Sequence, residues 1–344
     1  MSSKADYIII GQGISGTFLS YYLHKAGKNI LVFDEPKNNT ASKVTSGVIN
    51  PVTGRRIVRT WMIEEIMPFA AHAYQALENE LNISLIHQCN ILDFHPTAQM
   101  QNAFDERVNE ETYLSNVKDT ESWRNYFNYD FGIGEINPCW QINIQALIQE
   151  WRKELQKNNQ LIEEKFSVEQ IKDYADSKII FCDGVANIDN TFFHLLPYAA
   201  NKGEALIVEI KDLPRTNMYK QSCAIVPWKD DLWWIGSNYE WNFENDLPSK
   251  EFRESMEQKL KSFLKLPYKI ITHIAALRPA NVERRPFVGL HPTHKNIGIL
   301  NGMGTKGCSL APYFAHQLAE NLMNNKPILA YADIQRFKGI LSKQ

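Results

Sequence analysis

The chain has 344 residues, of which 44% are hydrophobic and 22% are charged, and its formal net charge at pH 7 is −2. This composition is typical of globular proteins, and the length allows one large or two medium domains. The near-neutral charge gives no basic field that would attract nucleic acid or an anionic membrane, so we expect neither as a partner. Because no apolar run reaches the ~18–20 residues of a membrane helix, we expect no membrane span and a cytoplasmic location.

The cysteines and histidines show no pattern of a disulfide framework or a metal site. The five cysteines are scattered and form no C-x-x-C pair, and the nine histidines have no paired metal-ligand spacing. We therefore expect reduced thiols and no bound metal.

The most informative segment is the N-terminus, where the apolar run 7–10 leads directly into a G-x-G-x-x-G pattern. A helical segment follows, and a second apolar run, 29–33, ends in Asp34. In such a β-α-β unit the glycines and the helix N-terminus hold a pyrophosphate, and the acid accepts hydrogen bonds from a ribose. The pattern predicts dinucleotide binding, with an ordinary Gly-rich strand–helix turn as the alternative. The glycines are Gly11, Gly13 and Gly16.

Hydrophobic periodicity predicts the remaining elements. Residues 36–60 are rich in Ser, Thr, Asn and Gly, which favours a loop over a cofactor. Helices are expected at 62–82, 144–155 (with Asn143 as N-cap), 251–264 and 311–323, and strands at 91–94, 178–182, 205–210, 224–228, 232–236 and 297–300.

The order of these elements predicts an α/β fold with an α+β substrate part. A Rossmann-like nucleotide-binding domain would comprise residues 1–75, 141–205 and 270–344. It would be interleaved with a smaller antiparallel-sheet substrate domain of residues 76–140 and 206–269.

A second Gly-rich strand-to-helix turn lies at residues 301–307, near the opposite end of the chain. Glycines there would let the backbone pass close to a flat ligand, and a helix N-terminus would stabilise negative charge on it. A reduced flavin carries such charge at its N1–C2=O2 edge. A loop with helix-capping glycines is the alternative.

Five motifs in the correct order resemble the FAD-dependent D-amino-acid oxidase superfamily, in particular its glycine oxidase and sarcosine oxidase branch. The resemblance runs from Asp6 to about Asn321, with a weaker match over residues 60–140. The motifs are the G-x-G-x-x-G unit, the loop 42–51, Lys202-Gly203-Glu204, the pair 225–227 and 234–240, and Leu277-Arg278-Pro279 followed by 286–289 and 302–307.

The resemblance implies that FAD is bound by several separate segments. It assigns the pyrophosphate to Gly11, Gly13, Ile14, Ser15 and Gly16, the adenosine ribose to Asp34 with Glu35, and further phosphate contacts to Ser42, Thr45 and Ser46. It assigns the flavin to Gly47, Val48 and Ile49, the adenine to the backbone of Val168 on a short strand-like piece, and a position near the cofactor to Gly184. It assigns the flavin pyrimidine edge to Gly302, Met303, Gly304, Thr305, Lys306 and Gly307.

Two residues are implied in catalysis. Arg278 matches the family arginine that pairs with the substrate carboxylate, which a guanidinium can hold by two parallel hydrogen bonds. Lys306 could polarise the flavin or meet oxygen, although a solvent-facing lysine is equally compatible with the sequence. Some sarcosine-oxidase relatives tether flavin through a cysteine shortly after the region of Arg278. This chain has no cysteine between Cys223 and Cys308, so we expect non-covalent FAD.

The substrate pocket departs from the glycine oxidase pattern. Thr305 stands at the position of a second arginine, Ala224 at that of a tyrosine, and residues 280–285 replace the usual Thr-Pro-Asp-Gly. We therefore expect a substrate other than glycine or a simple D-amino acid.

The resemblance implies an FAD-dependent oxidoreductase that oxidises a C–N bond of an amino acid or related amine by hydride transfer to flavin. The electron acceptor would be oxygen or a quinone. Two alternatives stay open at this point, an oxidoreductase acting on a modified tRNA base and a non-catalytic flavin-binding protein.

Overall fold

The computed structural model describes residues 5–54 and 56–343. Residues 1–4, 55 and 344, which belong to the predicted nucleotide-binding domain, lie outside this part. The helices are α1 Ile14–Lys25, α2 Ala41–Val44, α3 Ile63–Leu81, α4 Ala98–Arg107, α5 Ile144–Lys157, α6 Lys250–Phe263, α7 Gly307–Asn324 and α8 Lys338–Leu341. Short 3₁₀ helices span Glu121–Asn125, Val168–Tyr174, Gly184–Asp189 and Ile334–Phe337.

The strands form four sheets of six, three, eight and two strands. They are β1 Tyr7–Ile10, β2 Ile30–Phe33, β3 Val48–Ile49, β4 Val52–Thr53, β5 Val58–Arg59, β6 Ile86–Gln88, β7 Asn90–Phe94, β8 Leu114–Asn116, β9 Ile133–Ile136, β10 Trp140–Ile142, β11 Leu161–Ile162, β12 Lys178–Phe181, β13 Asn201–Glu209, β14 Asn217–Lys220, β15 Ala224–Pro227, β16 Leu232–Gly236, β17 Lys269–Arg278, β18 Phe287–Leu290 and β19 Ile297–Asn301.

The six-stranded sheet has the order β11-β2-β1-β12-β19-β18 and is parallel apart from the antiparallel β18–β19 pair. All four side chains of β1 are buried, because residues 7 and 9 pack into one apolar cluster and residues 8 and 10 into another on the opposite face. A parallel sheet covered on both faces produces such continuous apolar runs. The predicted α/β fold is confirmed.

Three helices pack together on one face of this sheet. Helix α1 contacts both α7 and α5. The buried ring of Trp151 on α5 donates from Nε1 to Ser20 Oγ on α1 at 2.8 Å. The carboxyl ends of β1, β2, β12 and β19 meet at one edge of the sheet, which is where open α/β sheets bind ligands.

The eight-stranded sheet has the order β17-β13-β16-β15-β14-β7-β9-β8, and its strands pair antiparallel except for β14 with β7. The alternation along β13 places Leu206 and Val208 in a cluster with α6, and Ala205 and Ile207 in a cluster on the opposite face. Trp234 of β16 lies in that second cluster, on the face that borders the cavity described below.

The helices and strands predicted from periodicity agree with the structure apart from their ends, but the predicted loop 36–60 contains α2, β3, β4 and β5. Helix α5 begins after Asn143, whose side chain accepts from the Ala146 backbone as expected of an N-cap. Helix α7 begins at Gly307, four residues before the predicted start. The division into two domains stays a prediction, but its boundaries cut α3, β10, β13 and β17. In the described residues, no helix is long and apolar enough to span a membrane.

Candidate active site

A cavity of about 420 Å³ lies at the carboxyl edge of the six-stranded sheet. The six-stranded sheet contributes the turns after β1, β2 and β12, while the loop 39–48 and the segment 301–308 add further wall. The eight-stranded sheet closes the remaining side with residues of β13, β16 and β17. The predicted site residues that line this cavity are Gly11, Gly13, Ile14, Ser15, Asp34, Glu35, Ser42, Thr45, Ser46, Val48, Gly184, Arg278, Met303, Gly304, Thr305 and Gly307.

The remaining predicted residues lie outside the described lining. Gly16 and Gly47 have a packing role instead, because a Cβ on either would come within 1.9 Å of a backbone oxygen, that of Gly11 and Ile142 respectively. The others are Ile49, Val168, Gly302 and Lys306.

The prediction that Val168 lies on a strand-like piece is wrong. The residue opens the 3₁₀ helix Val168–Tyr174, six residues after β11 ends, and 41% of its surface is exposed. The helix starts there because Ser167 and Gln170 form a capping box, in which the Gln170 side chain accepts from the Ser167 N–H at 2.7 Å. The S-x-x-Q pattern was the sequence signal for this.

The first Gly-rich turn is shaped for an anion. Gly11 has φ +96°, and Gly13 is the N-cap of α1, where it offers no side chain to occupy the helix N–H groups. A Cβ on Gly13 would lie 3.1 Å from Ser42 Oγ, which accepts from the Ile14 N–H at 3.0 Å. Ser42 thus engages the Ile14 N–H, and the positive end of the α1 dipole faces the cavity.

The loop 42–48 is fixed by contacts from distant segments. Gln145 on α5 donates from Nε2 to the carbonyls of Lys43 and Thr45 at 2.8 and 3.2 Å. Trp234 Nε1 donates to the Val44 carbonyl at 3.0 Å. These contacts hold the loop between the two large sheets, as a wall of the cavity.

Asp34 is held by donors on both of its carboxylate oxygens. The Gln12 N–H donates to Oδ1 at 2.8 Å, and Arg152 Nη1 donates to Oδ2 at 2.7 Å. Glu35 is exposed and pairs with Lys37 at 3.0 Å. Sequence reasoning missed Arg152, which reaches Asp34 across 118 positions of the chain.

Asp183 is another residue that sequence reasoning missed as part of the site, and unlike Arg152 it lines the cavity. It directly follows Cys182 after β12, and burial raises its pKa to about 6. Asn187 Nδ2 donates to its Oδ1 at 2.7 Å, which opposes that rise. A carboxyl group whose charged form is disfavoured therefore lies beside the first Gly-rich turn.

The second Gly-rich loop lies against the turn that follows β17. Gly302 and Gly304 have φ of +75° and +55°, the Gly304 N–H donates to the Pro279 carbonyl at 3.2 Å, and Asn281 Nδ2 donates to the Gly302 carbonyl at 3.0 Å. These contacts bring the loop and the Arg278 segment to the same end of the cavity.

Lys306 is not part of the described lining of the cavity. Its Nζ donates to Thr60 Oγ1 at 3.1 Å, and Thr60 Oγ1 donates to the Asn50 carbonyl at 3.2 Å. Burial lowers the pKa of Lys306 to about 8. The amine is therefore a partly desolvated cation directly behind the loop rather than a solvent-facing group.

Arg278 lines the cavity with a guanidinium held by uncharged acceptors. Its Nη1 lies 2.8 Å from Asn201 Oδ1 and 3.0 Å from the Asn238 carbonyl, and its Nη2 lies 2.9 Å from Ser237 Oγ. The ring centre of Tyr239 is 5.0 Å from Cζ. Burial lowers the pKa of Arg278, and within residues 5–54 and 56–343 no carboxylate forms an ion pair with it.

Gly203 makes room for this arginine. A Cβ at residue 203 would lie 1.8 Å from Nη2 and 2.0 Å from Cζ of Arg278. Asn201 pairs with Arg278 across β13 and β17. Since alternate residues of a strand share a face, the Arg278 side chain extends over Gly203, two positions along β13. This explains the glycine in the Lys-Gly-Glu motif.

Comparison with known proteins agrees with this geometry. Glycine oxidase of Bacillus subtilis (strain 168) is 23% identical over 361 residues, covering 95% of this chain and 95% of that protein. The structure of glycine oxidase from Geobacillus kaustophilus has a TM-score of 0.79 at 14% identity, covering 95% of this chain and 96% of that one. Iminodiacetate oxidase from Chelativorans sp. BNC1 has a TM-score of 0.74 at 16% identity, covering 95% and 98%.

The family model described as FAD dependent oxidoreductase matches residues 6–321, which is most of the chain. The first Gly-rich turn, the second Gly-rich loop and the arginine beside it all fall within this match. The chain therefore belongs to the DAO family of FAD-dependent oxidoreductases, and FAD is its cofactor.

Proposed function

We propose that this enzyme oxidises a C–N bond of an amino acid or related amine that carries a carboxylate. The observation that supports the proposal is Arg278, a desolvated, cavity-lining cation without an acidic partner among the described residues. A buried charge without a partner is costly, so such a group is usually paired or reserved for a ligand. A substrate carboxylate would supply the missing charge.

The hydrogen-bonding capacity of Arg278 supports this role. A guanidinium has five N–H donors, and three hydrogen bonds engage Nη1 and Nη2. Among the residues that the structure describes, none accepts from the Nε–H or from one Nη2 proton, which leaves both for a ligand. Since Nε and Nη2 lie on one edge of the guanidinium, they could hold a carboxylate by two hydrogen bonds and orient the carbon beside it.

The described residues fit FAD. We propose that the N-terminus of α1 after Gly13 holds the pyrophosphate, with further phosphate contacts from Ser42, Thr45 and Ser46. We propose that Asp34 accepts from the adenosine ribose, and that Val48 and the loop 302–307 hold the flavin. FAD bound there would supply the oxidising equivalent for loss of a hydride from the C–H bond beside the amine nitrogen. The protein contributes orientation through Arg278, exclusion of water by the eight-stranded sheet, and positive charge from Lys306 behind the loop.

The relatives indicate the chemical class of the substrate but not its identity. They include a glycine oxidase and an iminodiacetate oxidase, which both act on amino acids. Thr305 lines the cavity where the resemblance led us to expect a second arginine, whereas Ala224 is not part of the described lining. We therefore infer a substrate that depends mainly on Arg278 for its carboxylate. Oxygen or a quinone is the proposed electron acceptor.

The test is an anaerobic titration of the yellow protein with a panel of amino acids, N-alkyl amino acids and amines without a carboxylate. We expect at least one carboxylate-bearing amine to bleach the visible flavin bands, while its decarboxylated analogue does so far less effectively. Bleaching by the analogue alone would contradict the role of Arg278. If no amine bleaches the flavin, the protein is a flavin carrier or acts on another class of substrate, and the proposal fails.

A further inference from the structure

Arg152 on α5 holds the carboxylate of Asp34 from behind the cavity wall. Its Nη1 lies 2.7 Å from Asp34 Oδ2 and 2.8 Å from Gln12 Oε1. Gln12 in turn donates from its backbone N–H to Asp34 Oδ1 at 2.8 Å and from Nε2 to the Ile148 carbonyl on α5. With one donor on each oxygen, the carboxylate of Asp34 is fixed in a single orientation.

The same arginine bridges to a second carboxylate. Its Nε and Nη2 lie 3.1 and 2.7 Å from Glu163 Oε1, and Glu163 directly follows β11, the parallel neighbour of β2. The side chains of Arg152 and Asp34 are 19% and 17% exposed, whereas that of Glu163 is 49% exposed. Because water screens the Arg152–Glu163 pair more strongly, we expect the Arg152–Asp34 pair to have the larger interaction energy.

We propose that Arg152 is a positioning residue for the adenosine ribose of FAD. An ionised carboxylate has about four acceptor sites, of which Gln12 and Arg152 take two. Asp34 lines the cavity, so its remaining acceptor sites can face a ligand there. Arg152 is not part of the described lining. Arg152 therefore acts through Asp34, by fixing its rotamer and offsetting its charge near an anionic cofactor.

The test measures FAD affinity rather than turnover, so it does not depend on the substrate. Dilution of the holoenzyme releases FAD, and the rise in flavin fluorescence gives the Kd for wild type, Arg152→Met, Asp34→Asn and the double variant. Arg336→Met is the matched control, because Arg336 is 18% exposed and pairs with Glu283 at 3.0 Å. ADP and 2′,3′-dideoxy-ADP are then compared as competitors that displace FAD from each protein.

We expect Arg152→Met to raise the Kd of FAD about ten- to a hundredfold, the scale of one charge-assisted hydrogen bond. Arg336→Met should change it less than about threefold. In the Asp34→Asn background, Arg152→Met should add little, because its effect passes through Asp34. Wild type should prefer ADP to the dideoxy analogue, and this preference should shrink in Arg152→Met, which a merely structural role would not produce.

If Arg152→Met raises the Kd of FAD by the same factor with and without Asp34→Asn, the proposal is overturned. An unchanged preference for ADP over its dideoxy analogue in Arg152→Met would overturn it as well. If the methionine variant does not fold, Arg152→Lys and Arg152→Gln are measured in the same way. Lysine keeps a cation for one carboxylate and should give an intermediate Kd. Wild-type affinity and wild-type ADP preference in the glutamine variant would equally refute the assignment.

Discussion

An Arg278→Met substitution removes the cation that we assign to the substrate carboxylate. In a dry pocket, loss of one partner of a charged pair costs ~2–5 kcal/mol. Since 1.4 kcal/mol corresponds to about a tenfold change, kcat/KM should fall roughly 30- to 3,000-fold. The substitution also leaves the oxygens of Asn201, Ser237 and Asn238 without this donor, so we expect a stability loss of about 1–3 kcal/mol with FAD content retained.

Gly203→Ala is the matched variant for this prediction. Its Cβ would fall 1.8 Å from Arg278 Nη2, so alanine displaces the guanidinium without changing the net charge. We expect a comparable loss of kcat/KM, and only partial rescue when Arg278 is replaced by lysine, which lacks the planar fork.

The assay is anaerobic stopped-flow reduction of the flavin, with the substrate that the panel identifies, over a range of concentrations. If Arg278→Met and Gly203→Ala both reduce at the wild-type rate, Arg278 is structural and the assignment is wrong. If the variants lose flavin instead, Arg278 belongs to the cofactor site.

Three further predictions concern the cofactor and Lys306. Gly13→Val should give folded but colourless protein, because its Cβ would already lie 3.1 Å from Ser42 Oγ; full flavin occupancy, read from the ratio of flavin to protein absorbance, would refute the pyrophosphate assignment. Acid precipitation should leave the yellow colour in the supernatant, since no cysteine lies between Cys223 and Cys308, and a coloured pellet would contradict non-covalent binding. Burial lowers the pKa of Lys306 from 10.5 to about 8, so between these values the folded protein binds fewer protons than the unfolded chain. Wild type should therefore gain Tm relative to Lys306→Met as the pH rises from about 8 to 10.5, and a flat or opposite trend would count against this.

The sequence predicted the features whose signals are local. The apolar run, the glycines and Asp34 lie within one β-α-β unit, so their order alone indicates where a dinucleotide binds. The second Gly-rich turn could also be recognised in the sequence. Its glycines favoured a loop up to the predicted helix start at residue 311, whereas α7 begins at Gly307.

The features that the sequence did not predict depend on contacts between distant segments. Arg152 reaches Asp34 from a helix 118 positions away, and no motif records that pairing. The exact strand ends of β13 and β17 depend on their pairing in one sheet, so a boundary drawn from local pattern cuts through both. Lys306 was assigned to the pyrimidine edge, but its amine meets Thr60, which only the tertiary structure reveals.

Oxidation of a C–N bond by the flavin of this enzyme would fix the product stoichiometry of a single anaerobic turnover, which can be measured. A substrate that bleaches the flavin is mixed with excess enzyme, and the carbonyl product and the released amine are quantified after acid quenching. We expect one carbonyl product and one amine or ammonia for each flavin that is reduced by two electrons. Reduction without either product, or reduction that requires no C–H bond beside nitrogen, would contradict it.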